Sequence, residues 1–296
     1  MIFKHGKLLD PKADLVFKKI FGNNKDLIKS FLNNILPLAE DELIETITYL
    51  SSEQVPRTPI KKYSIVDVRC TDQKGRVFIV EMQMGWSPSF KSRLQFGTAK
   101  AYVDQLDKGE QYELLCPVYG LALVGETFDP KTDEWYHHYK MVNVKETDKQ
   151  IVGLELIFVE LPKFKATTHW EKKLGILWLR FLNEIDKMTE IPHEFTDVPE
   201  ICKAIELTQE ASYTKEELAQ YDGYWDQVSI EKTIKADAKA EGKAEGKVEG
   251  KAENAREVAL EMLKDNEPDE KIIKYAKISL NELLELRKTI ETINDI

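Results

Sequence analysis

Two side chains in one short stretch have the types and spacing to hold a metal ion: Asp67 and Glu81. They sit in SIVDVRCTDQKGRVFIVEMQ, residues 64–83, where two β-rich runs flank Gln73-Lys74-Gly75. The pattern predicts a β-hairpin with a three-residue loop, Gly75 taking its left-handed position without steric cost. Pairing Asp72 with Arg76 across that loop sets Asp67 opposite Glu81 and Ile65 opposite Gln83. Carboxylates so opposed have Cβ atoms only about 5 Å apart and repel, so they need a compensating charge. A hard divalent cation such as Mg²⁺ is one compensation, because it prefers carboxylate oxygens. Arg69 on a solvated face is the other.

The neighbouring elements must position these groups. Alternation along the hairpin puts Val66, Val68, Cys70, Phe78, Val80 and Met82 on one apolar face, expected to be core. Ile65, Asp67, Arg69, Ile79, Glu81 and Gln83 share the other. Upstream, Asp10-Pro11 predicts a helix start with Asp10 as N-cap, an apolar flank through Phe21, and Gly22 at the C-cap. A second helix is expected from Lys25 to Leu36, with Leu27, Ile28, Phe31, Leu32 and Ile35 inward and Pro37 ending it. Residues Leu43 to Leu50 alternate as a strand. Lys61 and Lys62 read as a solvated strand start or as phosphate contacts.

Downstream, Ser87-Pro88 opens a helix to about Leu106, with Phe90, Leu94, Gly97 and Ala101 at helical spacing. Pro117 to Val124 is a continuous apolar run suited to a buried central strand. Trp135–Val144 and Leu154–Leu161 read as two more strands. His137 and His138 are adjacent on a strand, face opposite sides and do not share a metal. From Trp170 a helical stripe of Leu174, Leu177, Trp178, Phe181, Leu182 and Ile185 reads as core. Helices around Glu200–Glu210 and Thr214–Tyr224 follow, the latter opened by a capping box of Thr214 and Glu217.

Asp67, with Glu81-Met82-Gln83 one strand later, resembles motifs II and III of the PD-(D/E)XK nuclease superfamily. DLVFKKIFG (residues 14–22), IVEMQ (79–83), Arg93 and Tyr102 on the following helix, and Cys116-Pro117-Val118 resemble the Rpn family of recombination-promoting nucleases, also called putative transposases. The resemblance covers about the first two thirds of the chain, and its short motifs draw specificity from their order. It implies a restriction-endonuclease-like α/β (α+β) fold, a mixed sheet flanked by helices on an αβββαβ core, with a helical C-terminal tail. It implies hydrolysis of DNA phosphodiester bonds with Mg²⁺ or Mn²⁺. Asp67, Glu81 and the Met82 carbonyl would hold the metal, Asp14 would help directly or through water, and Gln83 would orient the attacking water. Arg93 and Tyr102 would contact phosphate or shape the site. The superfamily commonly has Lys where this chain has Gln83, and the Rpn branch itself resembles this chain there.

The chain has 296 residues, 42% hydrophobic and 32% charged, enough for a real core. Its net charge of −10 disfavours non-specific polyanion binding, but the balance is uneven. Residues 1–100 hold 16 Lys+Arg and 11 Asp+Glu, a net of +5, and the rest is −15. Three scattered cysteines give neither a disulfide framework nor a zinc site. No apolar run has the length of a membrane span and no signal-peptide core opens the chain, which reads as cytoplasmic.

Residues 239–254, KAEGKAEGKVEGKAEN, repeat every four. Like charges stack at i, i+4, and each glycine weakens a helix by about 1 kcal/mol relative to Ala. Two readings stand: a helix that pairs with a second copy in a homodimer, or a flexible charged linker. Short helices are expected at Arg256–Lys264, Asp269–Lys277 and Leu280–Ile293, the last with Ser279 and Glu282 as a capping box. The expected organisation is a nuclease-like domain over 1–230, a repeat segment over 231–257 and a small helical tail over 258–296. Alternatives to the nuclease are a cleavage-deficient domain that binds DNA or protein, and a coiled-coil scaffold.

Overall fold

A computed structural model describes residues 7–54, 64–165 and 172–294. Lys61, Lys62 and Trp170 therefore lie outside the described residues. The chain divides into two compact units, Met1–Ser229 and Ile230–Ile296.

The first unit is built on a six-stranded mixed sheet. Its helices and strands follow in chain order as α1 (Asp14–Phe17), α2 (Lys25–Ile35), β1 (Ile47–Tyr49), β2 (Glu53–Gln54), β3 (Ser64–Ile65), β4 (Val68–Asp72), β5 (Val77–Gln83), α3 (Pro88–Val103), β6 (Val118–Val124), β7 (Tyr136–Val142), β8 (Gln150–Glu160), α4 (Lys173–Glu184), α5 (His193–Thr196), α6 (Pro199–Thr208) and α7 (Lys215–Lys264). The sheet order is β1-β4-β5-β6-β8-β7, and β2 pairs with β3 apart from it. Strands β5, β6 and β8 run parallel, and the outer pairings are antiparallel. This is the expected mixed sheet flanked by helices.

Both faces of the sheet are covered. One packs Phe78, Val80, Leu121 and Ile157 against α1, α2, α4 and α6, where Phe17, Phe21, Phe31 and Trp178 make a ring cluster. The other packs Val77, Ile79, Val118 and Ala122 under Phe90, Leu94 and Ala101 of α3. Strands so enclosed need apolar residues at every position, and all seven residues of β6 are buried. Gly120 lets α3 sit low on the sheet, since a Cβ there would overlap the Thr98 hydroxyl. The stripe from Leu174 to Ile185 is core, and the five inward residues expected of α2 are all buried.

The hairpin holds its expected register, with Val68 opposite Val80 and Cys70 opposite Phe78. Gly75 has φ +76° in the turn, and Asp72 and Arg76 close it. Arg76 also donates from Nε to Asp72 Oδ2 at 2.7 Å and from Nη2 to the Glu42 carbonyl at 2.6 Å, a buried pair that locks the loop.

The first run of the hairpin is not one strand. The chain bends at Asp67, and Ile65 pairs with Glu53 rather than with Gln83. The Val66 N–H goes to the Ser52 carbonyl, which carries Val66 into the α3-side core instead of the face shared by Val68 and Cys70. The bend ends the β4–β5 ladder at Val68 and Val80, so Asp67 and Glu81 are not a ladder pair.

Other bounds also differ. The first helix begins at Asp14, because the Asp10 carboxylate is used by the Lys12 N–H at 2.9 Å and the Lys12 ammonium at 2.7 Å in a preceding turn. After Phe17 the helix widens into a π-helical turn, Lys18–Gly22, and Gly22 keeps a negative φ rather than a left-handed cap. The strand expected over Leu43–Leu50 is only β1, and β8 starts earlier than expected, at Gln150. His137 and His138 do face opposite ways, each on its own carboxylate, Glu160 at 2.7 Å and Glu155 at 2.6 Å.

The helix expected to stop near Tyr224 continues as α7, and residues 239–254 lie within it with every side chain exposed. Its start is the expected box, with the Thr214 N–H on Glu217 and the Glu217 N–H on Thr214 Oγ1. In the second unit the end of α7 packs with α8 (Asp269–Ala276) and α9 (Leu280–Asn294) around Ala259, Ile272, Ala276 and Leu283. Ser279 and Glu282 form the expected cap.

Candidate active site

The parallel strands end together, with Gln83, Val124 and Glu160 in one row. Ligands of open α/β sheets gather at such carboxyl ends. Glu81 lies two residues before the end of β5, and Asp67 just before β4. Strand β5 is central and buried, so Glu81 has no freedom to swing away from Asp67.

Asp67 does not join the strand ladder with its backbone. Its Oδ2 accepts the Met82 N–H at 2.7 Å, which fixes the carboxylate beside the strand that carries Glu81. The Gln83 carbonyl bonds the Gly125 N–H just beyond β6, so the alternating Met82 carbonyl faces the Asp67 side.

Electrostatics mark the two carboxylates as a pair. Burial, with the Asp14 charge in support, pushes the Asp67 carboxyl up to about 6 against the Met82 N–H, Lys18 and Arg93. Burial and then the Asp67 charge push Glu81 up to about 8, with Arg93 and Lys18 opposing. Glu81 is 8% exposed, and water does little to screen it. Desolvated carboxylates that repel favour either a proton or a bound cation.

Two cations flank the pair. Lys18 Nζ lies 2.7 Å from Asp14 Oδ1 and 3.8 Å from Asp67 Oδ1. Burial would lower its ammonium, but Asp14, Asp67 and Glu81 together hold it above the ordinary lysine value. On the other side Arg93 Nη2 donates to Gln83 Oε1 at 2.6 Å, with the guanidinium over the Phe90 ring. Arg69 does not neutralise the pair: its charge faces Asp104.

Asp67, Glu81, Met82, Gln83, Asp14 and Arg93 are thus brought to one end of the sheet, Asp14 through Lys18. Tyr102 is not. It stands over Gly153, where an added Cβ would lie 3.2 Å from its hydroxyl. That glycine precedes Leu154, in register with Val118 and Val77, six strand residues or about 20 Å from Gln83. Lys18 is the residue that sequence reasoning missed. Its signal was the i, i+4 spacing from Asp14 on a helix already linked to the site.

Among the described residues no three His, Cys, Asp or Glu side chains converge as a metal cluster. The donors that do converge, the buried Glu81 and partly buried Asp67 carboxylates beside a backbone carbonyl, suit a cation of the Mg²⁺ type. Such an ion commonly takes only one or two protein carboxylates and keeps water or phosphate elsewhere.

No helix among the described residues is long and apolar enough to cross a membrane. Neither a comparison with curated proteins nor one with solved structures returns a match. A family model described as PD-(D/E)XK nuclease family transposase matches residues 11–238, more than half of the chain and all of the sheet and its flanking helices. Such membership supports a nuclease-like function, and the chain belongs to the PD-(D/E)XK nuclease family of transposases.

Proposed function

We propose that this protein is a metal-dependent DNA endonuclease. The observation that carries the reading is the pair of Asp67, partly buried and held by the Met82 N–H, and buried Glu81 at the carboxyl end of the parallel strands, flanked by Lys18 and Arg93. Asp67, Glu81 and the Met82 carbonyl would hold Mg²⁺ or Mn²⁺, with Asp14 joining directly or through water. When bound, that ion lowers the pKa of a coordinated water and screens the phosphate charge.

The protein's own groups do the rest. Gln83 orients the attacking water, and its amide is itself oriented by Arg93. Arg93 and Lys18 supply the positive charge that Gln83 lacks, stabilising the charge that grows on the phosphate. Rigid strands keep the carboxylates in place while this happens. The exposed charged helix around residues 239–254 is the surface for a homodimer, which would present two sites to a duplex in a recombination reaction.

A second reading, a DNA-binding module without cleavage, is favoured by one observation: Asp14 is engaged by Lys18 rather than turned to the pair. Nicking of supercoiled plasmid separates the two. Nicking with Mg²⁺ or Mn²⁺, absent in EDTA and in Asp67→Ala, supports the nuclease. Salt-sensitive binding without nicking supports the module.

A further inference from the structure

Beside Asp67, on the side away from Arg93, a cleft of about 310 Å³ opens where β1 ends against the π-helical turn. Lys18, Asn23, Tyr49, Ser52, Asp67 and Arg69 line it. Its wall is fixed: Tyr49 donates to the Phe21 carbonyl at 2.7 Å, and the Leu50 N–H bonds the Arg69 carbonyl at 2.9 Å. Two of the lining groups are cationic, one is anionic, and Asn23, Ser52 and Tyr49 add neutral polar atoms.

Arg69 is the unusual member. Its Nε is buried and has no hydrogen-bond partner. A buried donor on a charged group left unpaired is costly, and folded proteins rarely keep one without a reason. Burial also holds the guanidinium below its ordinary value, opposed only by Asp104. The two cations described beside the carboxylates each have a partner: Lys18 has Asp14, and Arg93 has Gln83. Arg69 is two residues beyond Asp67 across the bend, at most about 6.6 Å along the chain, and both residues line the cleft. That step is of the order of the spacing between successive phosphates of a single strand.

The volume is at the low end of small-ligand pockets, of the order of one nucleotide. We infer that this cleft holds one unpaired nucleotide of the strand being cut, Arg69 taking the phosphate next to the one at Asp67 and Glu81. The assignment rests on the nuclease reading and adds a substrate class: DNA with an unpaired nucleotide at the site, whether single-stranded or opened at a junction. Arg69 serves because its planar fork reaches a phosphate with two donors where lysine offers a point charge.

The test is fluorescence anisotropy of a labelled single-stranded oligonucleotide and its duplex in EDTA, where nothing is cleaved. Wild type, Arg69→Met and Ser52→Tyr are compared after melting curves confirm folding. Ser52→Tyr narrows the cleft while leaving Arg69 in the sequence, and covers a failure of Arg69→Met to fold. The expected result is single-strand binding weakened at least tenfold in both variants. Duplex binding should change less than twofold. In Arg69→Met the logarithmic salt slope should fall by about 0.7, one phosphate contact. Thymidine monophosphate should displace the oligonucleotide where the same concentration of inorganic phosphate does not. Single-strand binding unchanged in the variants, equal losses on both substrates, or no binding by wild type would each overturn the assignment. Plasmid nicking is scored separately, so nicking that survives with no effect at Arg69 removes the subsite and leaves the nuclease standing.

Discussion

Replacing Glu81 by Gln should stabilise the metal-free protein at high pH and not at low pH. The Glu81 carboxyl rises from 4.5 to about 8 on folding, so the folded state keeps a proton that the unfolded chain has released. Below about pH 4.5 both states are protonated and no penalty exists. Between there and about pH 8 stability falls as pH rises, by up to about 1.4 kcal/mol per unit. A span of about 3.5 units bounds the loss near 5 kcal/mol. Asp67 shares the charge and relaxation reduces it, so about 2–4 kcal/mol is the expected effect. Glu81→Gln keeps the shape and removes the charge. Denaturant unfolding in EDTA should show the variant more stable than wild type by about 2–4 kcal/mol at pH 9 and equal to it at pH 4, within about 0.5 kcal/mol. Added Mg²⁺ at pH 8 should stabilise wild type and leave the variant nearly unchanged. Parallel pH profiles for the two proteins in EDTA would refute the buried, coupled pair.

Two further outcomes follow from the same geometry. Lys18→Met removes the amine between Asp14 and Asp67, and should lower the cleavage rate by about 10²-fold or more with folding intact, Lys18→Arg restoring part of it; single-turnover plasmid cleavage unchanged in Lys18→Met would remove that residue from the mechanism. Asp72→Ala strands the buried Arg76 and should cost about 3–5 kcal/mol in urea unfolding, and a loss below about 1 kcal/mol would show the turn to be held by other contacts.

The parts of this molecule legible in sequence were those set by local rules. The hairpin register followed from one glycine at φ +76° and the residues on either side of it. The α2 stripe and the apolar run of β6 followed from period and burial. The bend at Asp67 was hidden because it depends on the Ser52 carbonyl and the Met82 N–H, groups every residue possesses. Lys18 was hidden because an Asp–Lys pair four apart is common on any solvated helix. Tyr102 was an avoidable error. Nine helical residues from Arg93 amount to about 13.5 Å and half a turn of phase, too far and on the wrong side for one small site.

The π-helical turn at Lys18–Gly22 has a consequence for how this chain can vary. Its hydrogen bonds span five residues instead of four, so it is an α-helix with one residue inserted. Each inserted residue turns everything before it by about 100° relative to everything after it. Asp14 and Lys18 therefore address the strand ends while Ile20 and Phe21 stay in the core. Loss of one residue from 19–22 would leave the apolar pattern of α2 intact and swing Lys18 off the carboxylates. At this point the site is sensitive to chain length more than to residue identity, because a single-codon deletion would swing Lys18 off the carboxylates and Phe17 out of the core together.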